Sequence, residues 1–332
     1  MPAYLLVLAG CLGSGPEDTD LERVWTDPGT SSSNPTIPTT DPTTSPPRVT
    51  EEFTQSAANQ VDVLFAIDNS CSMSEEQSSL RASFPTFLDR LVESQLDYHI
   101  GVISMDMDDM SQSGRLREVA GARWIDNQTV DPDGVFRTMA NLGTDGSFNE
   151  RGRDAAHEAL VGLAGGYNAG FLRASSSINV VVMSDENDHS TSIDNGNWIY
   201  YLQVEQVLRP EVSLTSIVGI QPGPAVIEIG TEYLDATVGV GGLMWDIGDS
   251  NYHVALEQIA LDGSGLSFEF DLSMEPQPGT IAVEVVEDGV TTSFEEDTDW
   301  TYYGAPNSVA FEAFIPSPLS SIRISYVVDA DG

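Results

Sequence analysis

The residues best suited to chemistry follow an apolar stretch near position 65. Residues 61–73 read VDVLFAIDNSCSM: the apolar run ends at Asp68, and Ser70 and Ser72 follow at alternate positions. A buried strand delivers its last residues to the sheet edge where α/β proteins place ligands. One carboxylate and two hydroxyls there are oxygen ligands of the kind that a hard cation such as Mg²⁺ prefers. The stretch therefore predicts a cation site.

Two further segments place oxygen side chains at the same edge. The apolar run INVVVM at 178–183 is typical of a strand in a parallel sheet, and Asp185 follows it closely. Between the two strands, the segment GTDGS at 143–147 precedes a predicted helix and offers the hydroxyls of Thr144 and Ser147. Either hydroxyl is a candidate cation ligand from this third segment.

Strand and helix patterns alternate through the first two thirds of the chain, which predicts an α/β fold with a doubly wound, mostly parallel sheet. From residue 266 onward the pattern changes to period-two alternation between Pro and Gly turns, which predicts a small all-β sandwich or meander. Predicted strands lie at 61–67, 98–105, 178–183, 212–220 and 243–247, predicted helices at 74–93, 133–142, 150–163, 197–208, 231–238 and 252–261, and an edge hairpin at 115–125.

Three ordered motifs on this pattern resemble the von Willebrand factor type A domain and its metal-ion-dependent adhesion site. The Asp-x-Ser-x-Ser motif of that family matches Asp68, Ser70 and Ser72, and its later Asp matches Asp185. The resemblance spans about residues 61–262, and the motifs are also similar to those of secreted bacterial lipoproteins that carry this domain.

The resemblance implies a Mg²⁺ ion, with Mn²⁺ or Ca²⁺ as alternatives, that accepts a carboxylate from a partner protein as its sixth ligand. The family's third-loop Thr falls on Thr144 or Ser147, of which the spacing to Gly152 favours Ser147. Glu186 and Asp188 are expected at the rim that contacts the partner. Asp106, Asp108 and Asp109 follow the second strand and are either a Ca²⁺ site or, as we favour, a solvated acidic loop.

The N-terminal sequence predicts a targeting signal followed by a tether. The apolar residues 4–9 and the sequence LAGC ending at Cys11 resemble a bacterial lipobox, with Cys11 as the lipidated residue, and Leu12 favours the outer membrane. Residues 12–59 are rich in Ser, Thr and Pro, which predicts an extended tether. The predicted organisation is a signal peptide at 1–11, a tether at 12–59, a von Willebrand-type domain at 60–263 and a β domain at 264–332.

Composition excludes some functions. The chain has 332 residues with 13 Lys and Arg against 52 Asp and Glu, a net charge of −39, so its field repels nucleic acid and anionic membranes. The four His residues lie in no recognisable catalytic motif, which favours a non-enzymatic function. A structural surface protein with a purely stabilising metal and a metal-dependent hydrolase are the alternatives to a partner-binding protein of the cell envelope.

Overall fold

The computed structural model describes residues 47–55, 60–264, 266–311 and 316–328. The signal peptide, Cys11 and most of the tether lie outside these ranges. In the described part the strands are β1 (Arg48–Thr54), β2 (Gln60–Ile67), β3 (Asp97–Ser104), β4 (Ser177–Ser184), β5 (Val212–Val218), β6 (Met244–Asp246), β7 (Glu269–Asp271), β8 (Ala282–Glu287), β9 (Val290–Phe294), β10 (Trp300–Tyr303), β11 (Ser308–Phe311) and β12 (Ser321–Val327).

The helices alternate with the first group of strands. They are α1 (Ser74–Glu93), α2 (Pro132–Met139), α3 (Gly152–His157), α4 (Asn195–Tyr200), α5 (Thr231–Val240) and α6 (Tyr252–Ser264). Both α3 and α4 continue into a π-helical turn, at Glu158–Gly162 and Tyr201–Glu205 respectively. No helix in the described ranges combines the length and the apolar character needed to cross a membrane.

The central sheet has five parallel strands in the order β3-β2-β4-β5-β6. All eight residues of β4 are buried because helices cover both faces of the sheet. One face packs on α1, α2 and α6, where the rings of Phe84 and Phe136 stack at 3.6 Å between centroids. The other face packs on α3, α4 and α5 around side chains such as Leu64 and Trp198. This arrangement confirms the predicted doubly wound α/β class.

The strand order reverses at β2, and this reversal creates the crevice for a site. The chain passes from β2 to β3 on one side of the sheet, while β4 pairs with β2 on the other side. The carboxyl ends of β2 and β4 are therefore neighbours, with the loops that follow them diverging to opposite faces. Open α/β sheets bind ligands at such points.

The edge hairpin predicted at 115–125 is present in a short form: Val119 and Ala122 exchange two backbone hydrogen bonds, of 2.9 and 3.0 Å, across a two-residue turn. It lies beside β3 through isolated contacts, including the bridge between Ile100 and Ile125 and a hydrogen bond from Arg117 N to Val102 O of 2.8 Å. The Leu116 amide donates instead to the Asn168 side chain, at 3.1 Å. Because side chains take backbone donors that a ladder would need, a regular strand does not form.

The remaining strands form two antiparallel sheets, β1-β12-β8-β9 and β10-β11-β7, around a shared core. Trp300, Phe311 and Tyr326 are buried in that core, as their alternating pattern predicted. The all-β character of the C-terminal region is thus confirmed.

The predicted end of the tether is wrong, because residues 48–54 form β1. This strand pairs with β12 along its whole length, from Arg48 opposite Val327 to Thr54 opposite Ser321. Its buried Glu51 accepts hydrogen bonds from the backbone of Ser273, at 3.0 Å, and from the Tyr326 hydroxyl. The all-β unit is therefore built from two chain segments, one on each side of the α/β unit.

Candidate metal centre

Three loops at the carboxyl edge of the sheet surround the predicted site. We call them the serine loop (residues 68–73, after β2), the glycine loop (residues 143–150, before α3) and the aspartate loop (residues 184–189, after β4). Each joins a strand or loop to a helix, so its backbone is fixed at one end by regular structure.

Asp68 is fully buried between β2 and β4. Its amide donates to Met183 O of β4 at 2.9 Å, which continues the sheet by one residue. Its Oδ1 accepts from the amide of Ser70, and its Oδ2 accepts from Ser184 Oγ, both at 2.7 Å. Burial raises the pKa of Asp68 above its ordinary value, although the hydrogen bonds from both serines act in the opposite direction.

A chain of hydroxyls joins the serine loop to the aspartate loop. The Oγ atoms of Ser70 and Ser72 lie 3.1 Å apart, and Ser72 Oγ donates to Asp185 Oδ1 at 3.2 Å. Burial raises the pKa of Asp185 to about 6; the Ser72 hydrogen bond opposes that shift, and the nearby Asp68 adds to it. The structure thus brings together Asp68, Ser70, Ser72 and Asp185, the four residues of the two strand-end motifs.

The glycine loop approaches the serine loop through its backbone. The Gly146 amide donates to Asn69 O at 2.9 Å, and an added Cβ at Gly146 would lie 2.5 Å from the Asn69 side chain. The buried Gln77 of α1 holds both loops: its Nε2 donates to Asp68 O and to Gly143 O, each at 3.0 Å. Only glycine fits position 146 at this distance.

Neither predicted hydroxyl of the glycine loop joins the Asp68 group. Ser147 Oγ donates to Asp108 Oδ2 at 2.7 Å, so its side chain belongs to the acidic loop after β3. Thr144 is half-buried and makes no hydrogen bond with the Asp68 group within the described residues. The structure therefore places the Ser147 hydroxyl against the acidic loop, and its choice over Thr144 as a cation ligand stays a prediction.

The acidic loop after β3 uses its own donors. Asp106 Oδ1 accepts from the amides of Asp108 and Asp109 at 2.8 and 3.1 Å, and its Oδ2 accepts from the Ser147 amide at 3.2 Å. The carboxylate of Asp108 also pairs with Arg151. This loop is a hydrogen-bonded turn, and its geometry gives no support to a separate Ca²⁺ site.

Glu150, at the start of a helix that the sequence pattern predicts, lies against the Asp68 group. It is 0% exposed, its carboxyl lies against that of Asp68, and neither of its oxygens receives a hydrogen bond within the described residues. Burial, followed by the charge of Asp68, raises the pKa of Glu150 to about 10. The one signal in the sequence was its position at the junction of the glycine loop and α3, equivalent to that of the serine loop before α1.

The two predicted rim residues differ in position. Glu186 is half-buried and close enough to Asp68 for that charge, after burial, to raise its pKa. Asp188 is buried and forms an ion pair with Arg153, with 3.3 Å between Oδ2 and Nε, so it is wrong as a rim residue. The exposed Cys71 is a free thiol on the outer side of the serine loop.

The set of oxygen ligands fits a hard divalent cation. Carboxylates and hydroxyls are the groups that Mg²⁺, Mn²⁺ and Ca²⁺ bind, and Glu150 adds two buried oxygens that receive no hydrogen bond within the described residues. Among the residues that the structure describes, no three His, Cys, Asp or Glu side chains are arranged as a ready metal cluster. A cation here would therefore depend on the serine hydroxyls as well as on carboxylates.

The sequence matches no family model and no curated protein, whereas solved structures do match the fold. One is a von Willebrand factor type A structure from Catenulispora acidiphila, at 13% identity and a TM-score of 0.43, covering 85% of this chain and 61% of that one. Another is the pilus adhesin SpaC from Lactobacillus rhamnosus GG in its open conformation, at 8% identity and a TM-score of 0.45. The match covers 84% of this chain and 40% of that one.

A third similar structure is proximal thread matrix protein 1 from the mussel byssus, with a zinc-occupied MIDAS motif. Its identity is 12% and its TM-score 0.39, and the match covers 66% of this chain and 51% of that one. This chain thus spans between two fifths and about three fifths of the solved structures named here. The likeness concerns the fold, and the α/β unit has the parallel-sheet architecture that the resemblance to von Willebrand factor type A domains predicts.

Proposed function

We propose that this protein binds a divalent cation, Mg²⁺, at the Asp68 group and uses the ion to hold a partner protein. The observation that carries the proposal is the continuous set of hydrogen bonds from Asp68 to the Ser70 amide, and through the Ser70 and Ser72 hydroxyls to Asp185, which joins the two strand ends. Such a set presents hard ligands around one point at the switch of the sheet. Mn²⁺ and Ca²⁺ share this ligand preference and are the alternative ions.

Access to the site favours binding of a partner. Asp68, Ser70 and Asp185 are buried, while Ser72 is half-buried and Cys71 beside it is exposed. An ion held from below by these residues would be open on the side of the serine loop. A carboxylate from a partner is the group that an incompletely coordinated Mg²⁺ accepts in near-octahedral geometry. Glu186 remains the rim residue that would tune the choice of partner.

We further propose the setting that the sequence implies: a bacterial cell-envelope lipoprotein, lipidated at Cys11 and anchored in the outer membrane. The tether before β1 would then display the α/β unit away from that membrane. The proposed function is not enzymatic, since a carboxylate with hydroxyl neighbours provides cation ligands without a catalytic His arrangement.

A pull-down from envelope extract of the source cell tests the function. The full chain on beads should retain a partner in Mg²⁺ and lose it in EDTA, and the variant Asp68→Ala should lose it in Mg²⁺. Asp109→Ala, in the neighbouring exposed acidic turn, is the matched control and should behave as the wild type.

Other outcomes favour the alternatives. A partner that is retained in EDTA and also by Asp68→Ala would contradict the proposal and favour a structural surface protein. Hydrolysis of a generic phosphate ester by the wild type, abolished in Asp68→Ala, would indicate a metal-dependent hydrolase instead.

A further inference from the structure

A buried acidic side chain that the sequence motifs omit lies in contact with the Asp68 group. Glu150 is 0% exposed, and both of its carboxyl oxygens lack a hydrogen-bond donor in the part of the chain that is described. Its carboxyl lies against that of Asp68. A buried carboxyl group that has no donor of its own and lies against a second carboxyl group is an arrangement that proteins avoid unless a further group satisfies it.

The donors near this pair are already engaged. The Ser70 amide and the Ser184 hydroxyl both donate to Asp68, each at 2.7 Å. The Ser72 hydroxyl donates to Asp185 at 3.2 Å. None of the three is directed at Glu150. The two arginines that follow Glu150 in the sequence form other ion pairs: Arg151 with Asp108, and Arg153 with Asp188.

The backbone of Glu150 is held in place by neighbours on both sides. Its carbonyl accepts from the His189 amide of the aspartate loop at 2.8 Å. The next two amides donate to Met105 O at 3.3 Å and to the Tyr233 hydroxyl at 3.2 Å. The main chain from which the side chain projects is therefore fixed at the edge of the site.

We propose that Glu150 is a ligand of the bound cation, supplying a carboxylate oxygen from the glycine loop beside that of Asp68. This inference rests on the proposed cation site and deepens it. A charged ligand in place of the hydroxyl expected from Thr144 or Ser147 strengthens the hold on the ion. It also leaves the ion less positive toward a partner's carboxylate, because a charged ligand takes the place of a neutral one.

The test is titration of the full chain with Mn²⁺ alone, followed by calorimetry and by thermal unfolding. Glu150→Gln keeps the size of the side chain and removes its charge. We expect this variant to raise the Kd for Mn²⁺ by roughly tenfold or more. We also expect its cation-free form to melt no lower than the wild type, since it relieves the contact with Asp68. The matched control, Asp145→Asn, removes an exposed charge from the same loop and should keep the wild-type Kd.

The pattern across proteins separates the possible failures. If the wild type binds Mn²⁺ and Glu150→Gln binds it with the same Kd, Glu150 is a buried structural group and the inference is overturned. If neither protein binds Mn²⁺, the cation site itself is refuted. Should Glu150→Gln fail to fold, Glu150→Asp keeps the charge but withdraws the carboxylate by one methylene. A higher Kd for Mn²⁺ in that variant supports ligation by Glu150, and an unchanged Kd overturns it.

Discussion

Gln77 provides the sharpest test of how the loops are positioned, because two interpretations of this residue predict opposite results. The sequence SEEQ at 74–77 matches a capping box, in which a residue at the third helical position bonds back to the helix start. In the structure no side chain caps α1, and Gln77 is buried with its amide directed at the serine and glycine loops.

The substitution Gln77→Glu distinguishes the two interpretations. A capping box tolerates or prefers Glu, so stability would be kept. In the structure, Gln77 Nε2 donates to Asp68 O and Gly143 O, and its Oε1 accepts from the Leu142 amide at 3.2 Å. A carboxylate loses both donated bonds and turns an acceptor toward the carbonyls of the buried Asp68 and of Gly143. At 1–3 kcal/mol per unsatisfied buried group, we expect a loss of about 2–4 kcal/mol in the free energy of unfolding.

Urea unfolding followed by far-UV circular dichroism measures this loss as a lower midpoint at unchanged slope. Ser78→Glu is the matched control, because it adds the same charge at an exposed position of α1 and should change stability by less than about 0.5 kcal/mol. If Gln77→Glu is as stable as the wild type, or more so, the interaction between the loops through Gln77 is refuted and the capping interpretation stands.

Three further changes test other parts of the structure. In the all-β unit, Glu51→Ala leaves a buried tyrosine hydroxyl and a backbone amide without their acceptor, so thermal unfolding should show a loss of about 2–3 kcal/mol; Glu52→Ala removes a surface ion pair with Arg323 and should cost about 1 kcal/mol or less. Gly146→Ala introduces a Cβ at 2.5 Å from a side chain of the serine loop and should cost about 1–3 kcal/mol in urea unfolding, whereas Gly165→Ala, with no atom within 4 Å, should be neutral, and equal stabilities would contradict the close approach. Burial raises the pKa of Glu211 to about 7 from an ordinary value of 4.5, so its contribution to stability is intact below pH 4.5 and is lost as pH rises through 7; Glu211→Gln should therefore be more stable than the wild type by about 1–2 kcal/mol at pH 8 and not at pH 4, and a gain that is the same at both values would refute the shift.

The strand-end residues of the site could be predicted because local pattern and topology agree there. The apolar runs before Asp68 and Asp185 are long enough to be buried strands, and parallel strands bring their carboxyl ends to one edge. Ser70 and Ser72 follow within the same loop and turn their hydroxyls to one side. The chemistry of these four residues was therefore visible in the sequence.

The side chain that the glycine loop turns toward Asp68 could not be predicted, because the conformation of that loop decides it. The close approach of Gly146 to Asn69 sets the path of the glycine loop, and that contact joins residues 77 positions apart. Along this path Ser147 faces Asp108 while Glu150 faces Asp68. A glutamate directly before a helix is ordinarily read as a favourable first-turn charge, so its burial had no local signal.

Strand β1 was missed for a related reason. Its inward positions are Val49, Glu51 and Phe53, so a buried carboxylate interrupts the apolar alternation that marks a strand. The partner strand β12 lies more than 260 residues later in the chain, and its Tyr326, together with Ser273, explains why Glu51 is tolerated inside. Pairings of this separation leave no local trace in the sequence.

The central claim is that one divalent cation is held by oxygen atoms from the loops at this sheet edge. Anomalous diffraction from a crystal of the protein soaked in Mn²⁺ measures it directly. We predict one strong anomalous peak, bounded by the side chains of Asp68, Ser70, Ser72, Asp185 and Glu150. A map with no peak between these side chains, at a Mn²⁺ concentration that gives peaks elsewhere on the acidic surface, would contradict it.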